Sequence, residues 1–240
     1  MNQFLYPFAA YPDNSLCHFE PPRVIASKWV WIDLEATGLN PSNPDFGILE
    51  IAACVVDHDF RILDSLHVIV HQPERVIKNA STWCKKHFCD RANGGNDLFS
   101  LCRASCIPEE DAGKMLKSFL AKHAMEKSAP MSSKRVLLEE AQMGESSEVH
   151  RHGVYRVLLA GCSVHYDRSV LLEKFPYLSH YIAHKTVDIT SLLEMTKTWR
   201  PNALLGLGPS SGTHRAIVDI RETITLARFL YQRVFLSGNV

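Results

Sequence analysis

Residues 29–39, WVWIDLEATGL, constrain this chain more than any other stretch, because an apolar strand runs directly into two carboxylates, Asp33 and Glu35. Side chains alternate faces along a strand, so two acids spaced by two share one face, roughly 6.6 Å apart along the backbone. Acids crowded on one face of a buried strand repel each other and take up protons unless a cation neutralises them, and their hard oxygen atoms suit a divalent ion. Taken alone, the pair also fits a solvated turn, since acids at strand ends are common.

The surrounding pattern gives that strand a context. Apolar runs at residues 48–56 and 62–70 follow it, each bounded by Asn, Pro, Asp or Gly, and three strands in succession predict hairpins. From Pro108 the period changes: Glu109, Glu110 and Asp111 suit a first helical turn, and Met115, Leu116, Phe119 and Leu120 recur at helical spacing. A strand at 156–161, a helix from about Asp167 to Phe175, a short strand at 186–189 and a helix from Thr190 to before Pro201 complete an α/β alternation. After a loop rich in Gly and Ser, Ile217, Ile220, Ile224, Ala227, Leu230 and Tyr231 form the buried stripe of a last helix. Residues 126–153, rich in Ser, Glu, Lys and His, read as an inserted mobile loop. The expected organisation is an N-terminal extension over 1–27 and a single domain over 28–237.

Charge and composition narrow the partners. Lys plus Arg equal Asp plus Glu at 26 each, which excludes a chain that coats long nucleic acid by counterion release. A nucleic-acid ligand must then be short or held by a local site. No run approaches the ~18 apolar residues of a membrane span. Pro7, Pro12, Asp13 and Glu20 interrupt the first 27 residues, so no secretory signal is expected. Only Arg23 and Lys28 are basic before Trp29, too few for an Arg-rich transit peptide. Seven cysteines, an odd number scattered over the chain, fit free thiols in a reducing, intracellular compartment, the cytoplasm first, with mitochondria and nucleus left open.

Two further acids lie beside apolar neighbours. Asp167 in GCSVHYDRSVLLEKF follows the fourth strand and starts a helix, where the simplest role is an N-cap. Asp219 in THRAIVDIRETI is flanked by Val218 and Ile220 and lies five residues after His214. On an ideal helix those two would point about 140° apart, so they face one centre only if His214 sits in an unwound turn leading into the helix. The glycines before it permit such a turn.

Asp33, Glu35, Asp167 and Asp219, with His214 in the pattern HxAxxD, resemble the DEDDh exonucleases and, within them, the oligoribonucleases. The resemblance extends to ILEIAACVVD, the His71–Gln72 pair, the WC at Trp83, VDIT at Asp188, the WRP at Trp199 and HRAIVDIRETI, in the family's order and approximate spacing. It implies a ribonuclease H-like fold with a mixed sheet of about five strands flanked by helices. It also implies two Mg²⁺ or Mn²⁺ ions held by the four acids, His214 as general base, and hydrolysis of short single-stranded RNA from the 3′ end to nucleoside 5′-monophosphates. By the same resemblance Leu39 wedges between bases and Trp83 stacks on one. Ser163, Lys185 and Thr190 cap the 5′ phosphate, and His184 joins them from the second subunit of a homodimer.

The sequence departs from that pattern in places. Lys185, Thr190 and His184 stand where Arg, Ser and Tyr are usual, and lysine lacks the bidentate fork of arginine. The histidine expected five positions after Trp83 is Phe88, with His87 one place early, and Val218 replaces an acid often found before Asp219. Two other readings remain: the same centre acting on longer single-stranded RNA or DNA, and a non-catalytic scaffold that kept the fold. Cys84, His87, Cys89, Cys102 and Cys106 have spacings too loose for a zinc site. Lys85 and Lys86, and His150 and His152 in the inserted loop, read as solvated.

Overall fold

The computed structural model describes residues 29–124 and 156–236. The N-terminal extension and the inserted loop, with His150 and His152, lie outside the described residues. Strand β1 (Trp29–Ala36) is the centre of a five-stranded sheet of order β3-β2-β1-β4-β5. It pairs antiparallel with β2 (Ile48–Val56), which pairs antiparallel with β3 (Ile62–Ile69), so the expected succession of hairpins is present. On its other side β1 pairs parallel with β4 (Val157–Gly161), and β4 pairs parallel with β5 (Ile182–Asp188).

Between β3 and β4 lie α1 (Glu74–Lys78), α2 (Thr82–His87), α3 (Leu98–Ala104) and α4 (Glu109–His123). After β4 come α5 (Val164–Lys174), α6 (Ile189–Trp199) and α7 (Ala216–Leu230), which continues into a π-helical turn over Tyr231–Phe235. The alternation of β1 sets the two cores. Val30, Ile32 and Leu34 join Leu116 and Leu120 of α4 and Val170 and Leu171 of α5 on one face, while Trp31 joins Ala216, Ile220 and Ile224 of α7 on the other. β1 is thus covered on both faces, as a central strand with a parallel neighbour requires.

Several bounds differ from the sequence expectation. β1 runs four residues beyond Ile32, so Asp33 and Glu35 lie within the strand, opposite Ala52 and Glu50 of β2. β5 begins at Ile182, because an edge strand with exposed His184 and Lys185 lacks the apolar run that marks a buried one. α5 begins at Val164, and its N-cap position is Ser163; Asp167 is inside the first turn and is not the cap. Tyr231 falls in the π-helical turn with 40 % exposure, outside the buried stripe of α7.

Glu50 ties these layers together. Fully buried on β2, its Oε2 accepts Arg215 Nε at 2.9 Å and the backbone N–H of Ala216 at 3.2 Å, at the start of α7. Its Oε1 accepts His67 Nε2 of β3 at 2.6 Å and the Arg215 guanidinium at 3.2 Å. Burial opposes the charge, but the hydrogen bonds from His67 and Arg215 outweigh it and hold this carboxyl below the ordinary glutamate range. Removing one partner of such a pair strands the other in a desolvated place. Glu50→Ala is expected to cost about 3–5 kcal/mol in urea unfolding; a loss under about 1 kcal/mol would show that the tie is not needed to seat α7.

Candidate active site

Asp33 and Glu35 continue the Trp31 face of β1 and so point toward α7, where Asp219 occupies the first turn. Asp167 reaches them from α5 for a reason of local backbone chemistry. β4 ends at Gly161, beside Ile32, and leaves β1 without a strand partner on that side beyond this point. The N–H of Leu34 is satisfied instead by Asp167 Oδ1 at 2.9 Å. Gly161 is required at this turn-off, since a Cβ there would lie 2.8 Å from the carbonyl oxygen of Ile32.

His214 lies two residues before α7 with φ +48°, in the unwound turn that the His214–Asp219 spacing called for. One ligand atom each of Glu35, His214 and Asp219 fall within 4.8 Å of one another, the one such group among the described residues. Asp33 and Asp167 are outside that threesome and are coupled to the group through charge. Burial, then Asp167, Glu35 and Asp219, raise the Asp33 carboxyl well above its usual range. Burial, then Asp219 and Glu50, push Glu35 up to about 8. Burial raises Asp167 to about 7 despite its bond from Leu34, and burial raises Asp219 against the opposing influence of His214.

Four carboxyls that burial and mutual repulsion drive toward protonation are a donor set of hard oxygens without a counter-charge. That arrangement fits hard divalent cations. Glu50, in the same layer, is excluded from the cluster because Arg215 and His67 already neutralise it.

Of the expected substrate residues, Trp83 stands beside this centre through its ring contact with His214. Leu39, just beyond β1, is 84 % exposed and does not pack on the core. Trp83 of α2 is 48 % exposed and stacks on His87 at 4.0 Å between ring centres, and both rings meet His214 edge-on, at 4.8 and 5.3 Å. The early histidine therefore stands next to Trp83, while Phe88 is buried against Phe99. Ser163 and Thr190 come together: the backbone N–H of Ser163 bonds Thr190 Oγ1 at 3.0 Å and Asp188 Oδ1 at 3.1 Å. Asp188 also caps α6 by accepting the N–H of Thr190 at 2.9 Å. His184 and Lys185 are exposed on the edge strand β5.

The loose Cys/His spacings do not form a cluster. Cys84 Sγ bonds the carbonyl of Ala36, and Cys102 Sγ that of Leu49. The six cysteines among the described residues are free thiols. Lys85 and Lys86 are exposed on α2. The sequence reading passed over Glu50, whose signal was a lone acid inside the apolar run ILEIAACVV.

Comparison with known proteins agrees with this geometry. A family model described as exonuclease matches residues 30–88. The oligoribonuclease of Shewanella loihica is 31% identical over 207 residues, covering 86% of this chain and 94% of that protein. That of Vibrio vulnificus is 30% identical with the same coverage, and that of Chromobacterium violaceum 27% identical over 87% of this chain and 95% of its own. Among solved structures, a zinc-bound E. coli exonuclease I complex with single-stranded DNA aligns with 87% of this chain at TM-score 0.55 and 15% identity. An exonuclease I from Methylocaldum szegediense aligns with 88% at TM-score 0.51 and 16% identity. This chain spans about two-fifths of the length of either exonuclease I, at 41%. The likeness to both is one of fold, the ribonuclease H-like arrangement expected for this sheet.

The raised carboxyls set a direction for stability. The metal-free fold keeps protons on Glu35 up to about pH 8 and on Asp167 up to about pH 7, while the unfolded chain releases them near 4.5 and 3.8. Between these limits the native state binds more protons, so stability is greatest on the acid side and is lost as pH rises. In chelator-treated protein the urea midpoint should fall between pH 6 and 8.5, and added Mn²⁺ should restore more of it at the higher pH. A midpoint that rises over this window contradicts the buried, unneutralised cluster.

Proposed function

The chain belongs to the oligoribonuclease family, and from that premise we propose that it is a metal-dependent 3′-to-5′ exoribonuclease that hydrolyses short oligoribonucleotides, down to dinucleotides, to nucleoside 5′-monophosphates. The observation that carries this reading is the convergence of carboxylates from β1, α5 and α7 beside His214. Asp33, Glu35, Asp167 and Asp219 would hold two divalent ions, Mg²⁺ or Mn²⁺. Bound there, the ions would neutralise charge developing on the phosphoryl oxygens during an in-line displacement.

The chain's own residues do the rest. His214 accepts the proton of the attacking water, the general-base role that imidazole fills most often. No covalent intermediate with the protein is needed. Leu39 and Trp83 flank the cleft with exposed apolar surface and hold the bases, aromatic stacking being tolerant of base identity. The Ser163–Thr190 pair, with Lys185 nearby on β5, receives the terminal 5′ phosphate and limits substrate length. In the homodimer that this reading includes, the partner subunit's His184 closes over that phosphate. Lysine in place of arginine gives a point charge without a planar fork, and predicts a looser hold on the phosphate.

Incubation with Mn²⁺ and 5′-labelled RNA of graded length tests the proposal. Dinucleotides should be cleaved fastest, and Asp219→Ala should lower kcat by at least about a hundredfold. Preference for long strands, or an Asp219→Ala variant as fast as the parent, would overturn it.

A further inference from the structure

His214 sits in the left-handed backbone region at φ +48°, two residues after Gly212 at φ +63°. A non-glycine residue held there costs on the order of 1 kcal/mol or more, so the turn persists only if its surroundings enforce it. Each side of the turn is fastened. Before it, Glu222 accepts Ser210 Oγ at 2.7 Å and the N–H of Ser211 at 3.1 Å. After it, Glu50 accepts Arg215 and the N–H of Ala216.

Within the turn Thr213 Oγ1 donates to Asp219 Oδ1 at 3.4 Å, and one side-chain amide holds the backbone carbonyls. Asn96 Nδ2 donates to the carbonyl of Thr213 at 2.9 Å and to that of His214 at 2.7 Å, using both of its hydrogens. Among the described residues no other side chain bonds either carbonyl.

Asn96 is presented by a loop built for the purpose. Its backbone N–H bonds the carbonyl of His87 at 2.9 Å, and its Oδ1 accepts the N–H of Leu98 at 3.1 Å. Arg91 closes the loop on Asp97 at 2.8 Å, and Gly95 lies so near the Cys89 carbonyl that a Cβ would approach it to 2.1 Å. His87 in turn carries the Trp83 ring.

We propose that Asn96 is a positioning residue: by holding both carbonyls of the Thr213–His214 turn it fixes the imidazole of His214 against the carboxylates, and through the His87 carbonyl it ties that turn to the Trp83 shelf on which a base stacks. This rests on the assignment of His214 as general base. It adds that the base and the stacking shelf are one mechanical unit. Substrate seated on Trp83 then meets a base whose distance is already set, which is what proximity requires of a proton acceptor.

The test uses the full chain with saturating Mn²⁺ and a 5′-phosphorylated dinucleotide. Asn96→Ala and Asn96→Leu both delete the two N–H donors, and leucine keeps the branched shape. Each should lower kcat by about ten- to a hundredfold, with KM changed less than about threefold, because an error near 1 Å in a catalytic group costs on that order. In a His214→Ala background the same changes should cost nothing further, since the group they position is gone. In metal-free protein the His214 ring proton resonance should be a single sharp line in the parent and broadened in both variants. Losses that add fully in the His214→Ala background, a rise in KM with kcat preserved, or an unchanged His214 resonance would each overturn the positioning role. Parental turnover in His214→Ala alone would remove the base assignment and the positioning role together, and is recognised because it arises with Asn96 intact.

Discussion

Desolvating a carboxylate is costly unless a counter-charge replaces the lost water, and in this protein β1 forces that cost onto several groups at once. Trp31 and the α7 face commit one side of the strand to the interior, so Asp33 and Glu35, two and four residues further on, are carried into largely desolvated surroundings. Asp167 is drawn in by a backbone need, the unpaired N–H of Leu34 where β4 has ended. Asp219 arrives because α7 packs its apolar stripe on Trp31 and is fastened at its start by Glu50. The same layer thus contains one carboxylate neutralised within the protein and four that are not, and the difference between them is the guanidinium of Arg215 and the imidazole of His67.

The site and its frame were legible in the sequence to different degrees. The acids announced themselves because charged residues inside apolar runs are informative: IDLEA for β1, AIVDI for α7. Strand β2 was readable to its ends, since it is buried along nearly its whole length. Angular arithmetic required a lead-in turn at His214 if it and Asp219 were to face one centre, and φ +48° with α7 beginning at Ala216 is its realisation. Polar residues usually mark a strand's close, whereas in β1 cross-strand pairing with Glu50 and Ile48 continues through them. β5 was read short, an exposed edge strand having no apolar signature. Asp167 as an N-cap was the local reading, and it failed because its carboxylate bonds a strand 133 residues away in sequence. Asn96 could not have been found by local pattern, since its partners lie 117 and 118 residues downstream.

The departures from the family pattern also acquire a physical account. Phe88 is buried against Phe99, and His87, one residue earlier on α2, projects instead toward Trp83 and His214. An imidazole is therefore retained beside Trp83 although its position in the sequence has moved. Val218 is half-buried, and losing an acid there leaves Asp219 in its place in the first turn of α7. Ser163 and Thr190 keep a hydroxyl pair, Ser163 Oγ donating to Thr190 Oγ1 at 3.3 Å, so the exchange of serine for threonine preserves the hydroxyl. Lysine for arginine at Lys185 is the change with the greatest chemical consequence.

The central claim is that the carboxylate cluster stays partly protonated until divalent ions enter it. Calorimetric titration of the metal-free protein with Mn²⁺, repeated in buffers of different ionisation enthalpy, counts the protons displaced. With Glu35 near 8 and Asp167 near 7, binding at pH 7 should release about one proton or more, and the number released should fall as the pH is raised through 8. Binding at pH 7 without proton release, or no binding, would contradict the account.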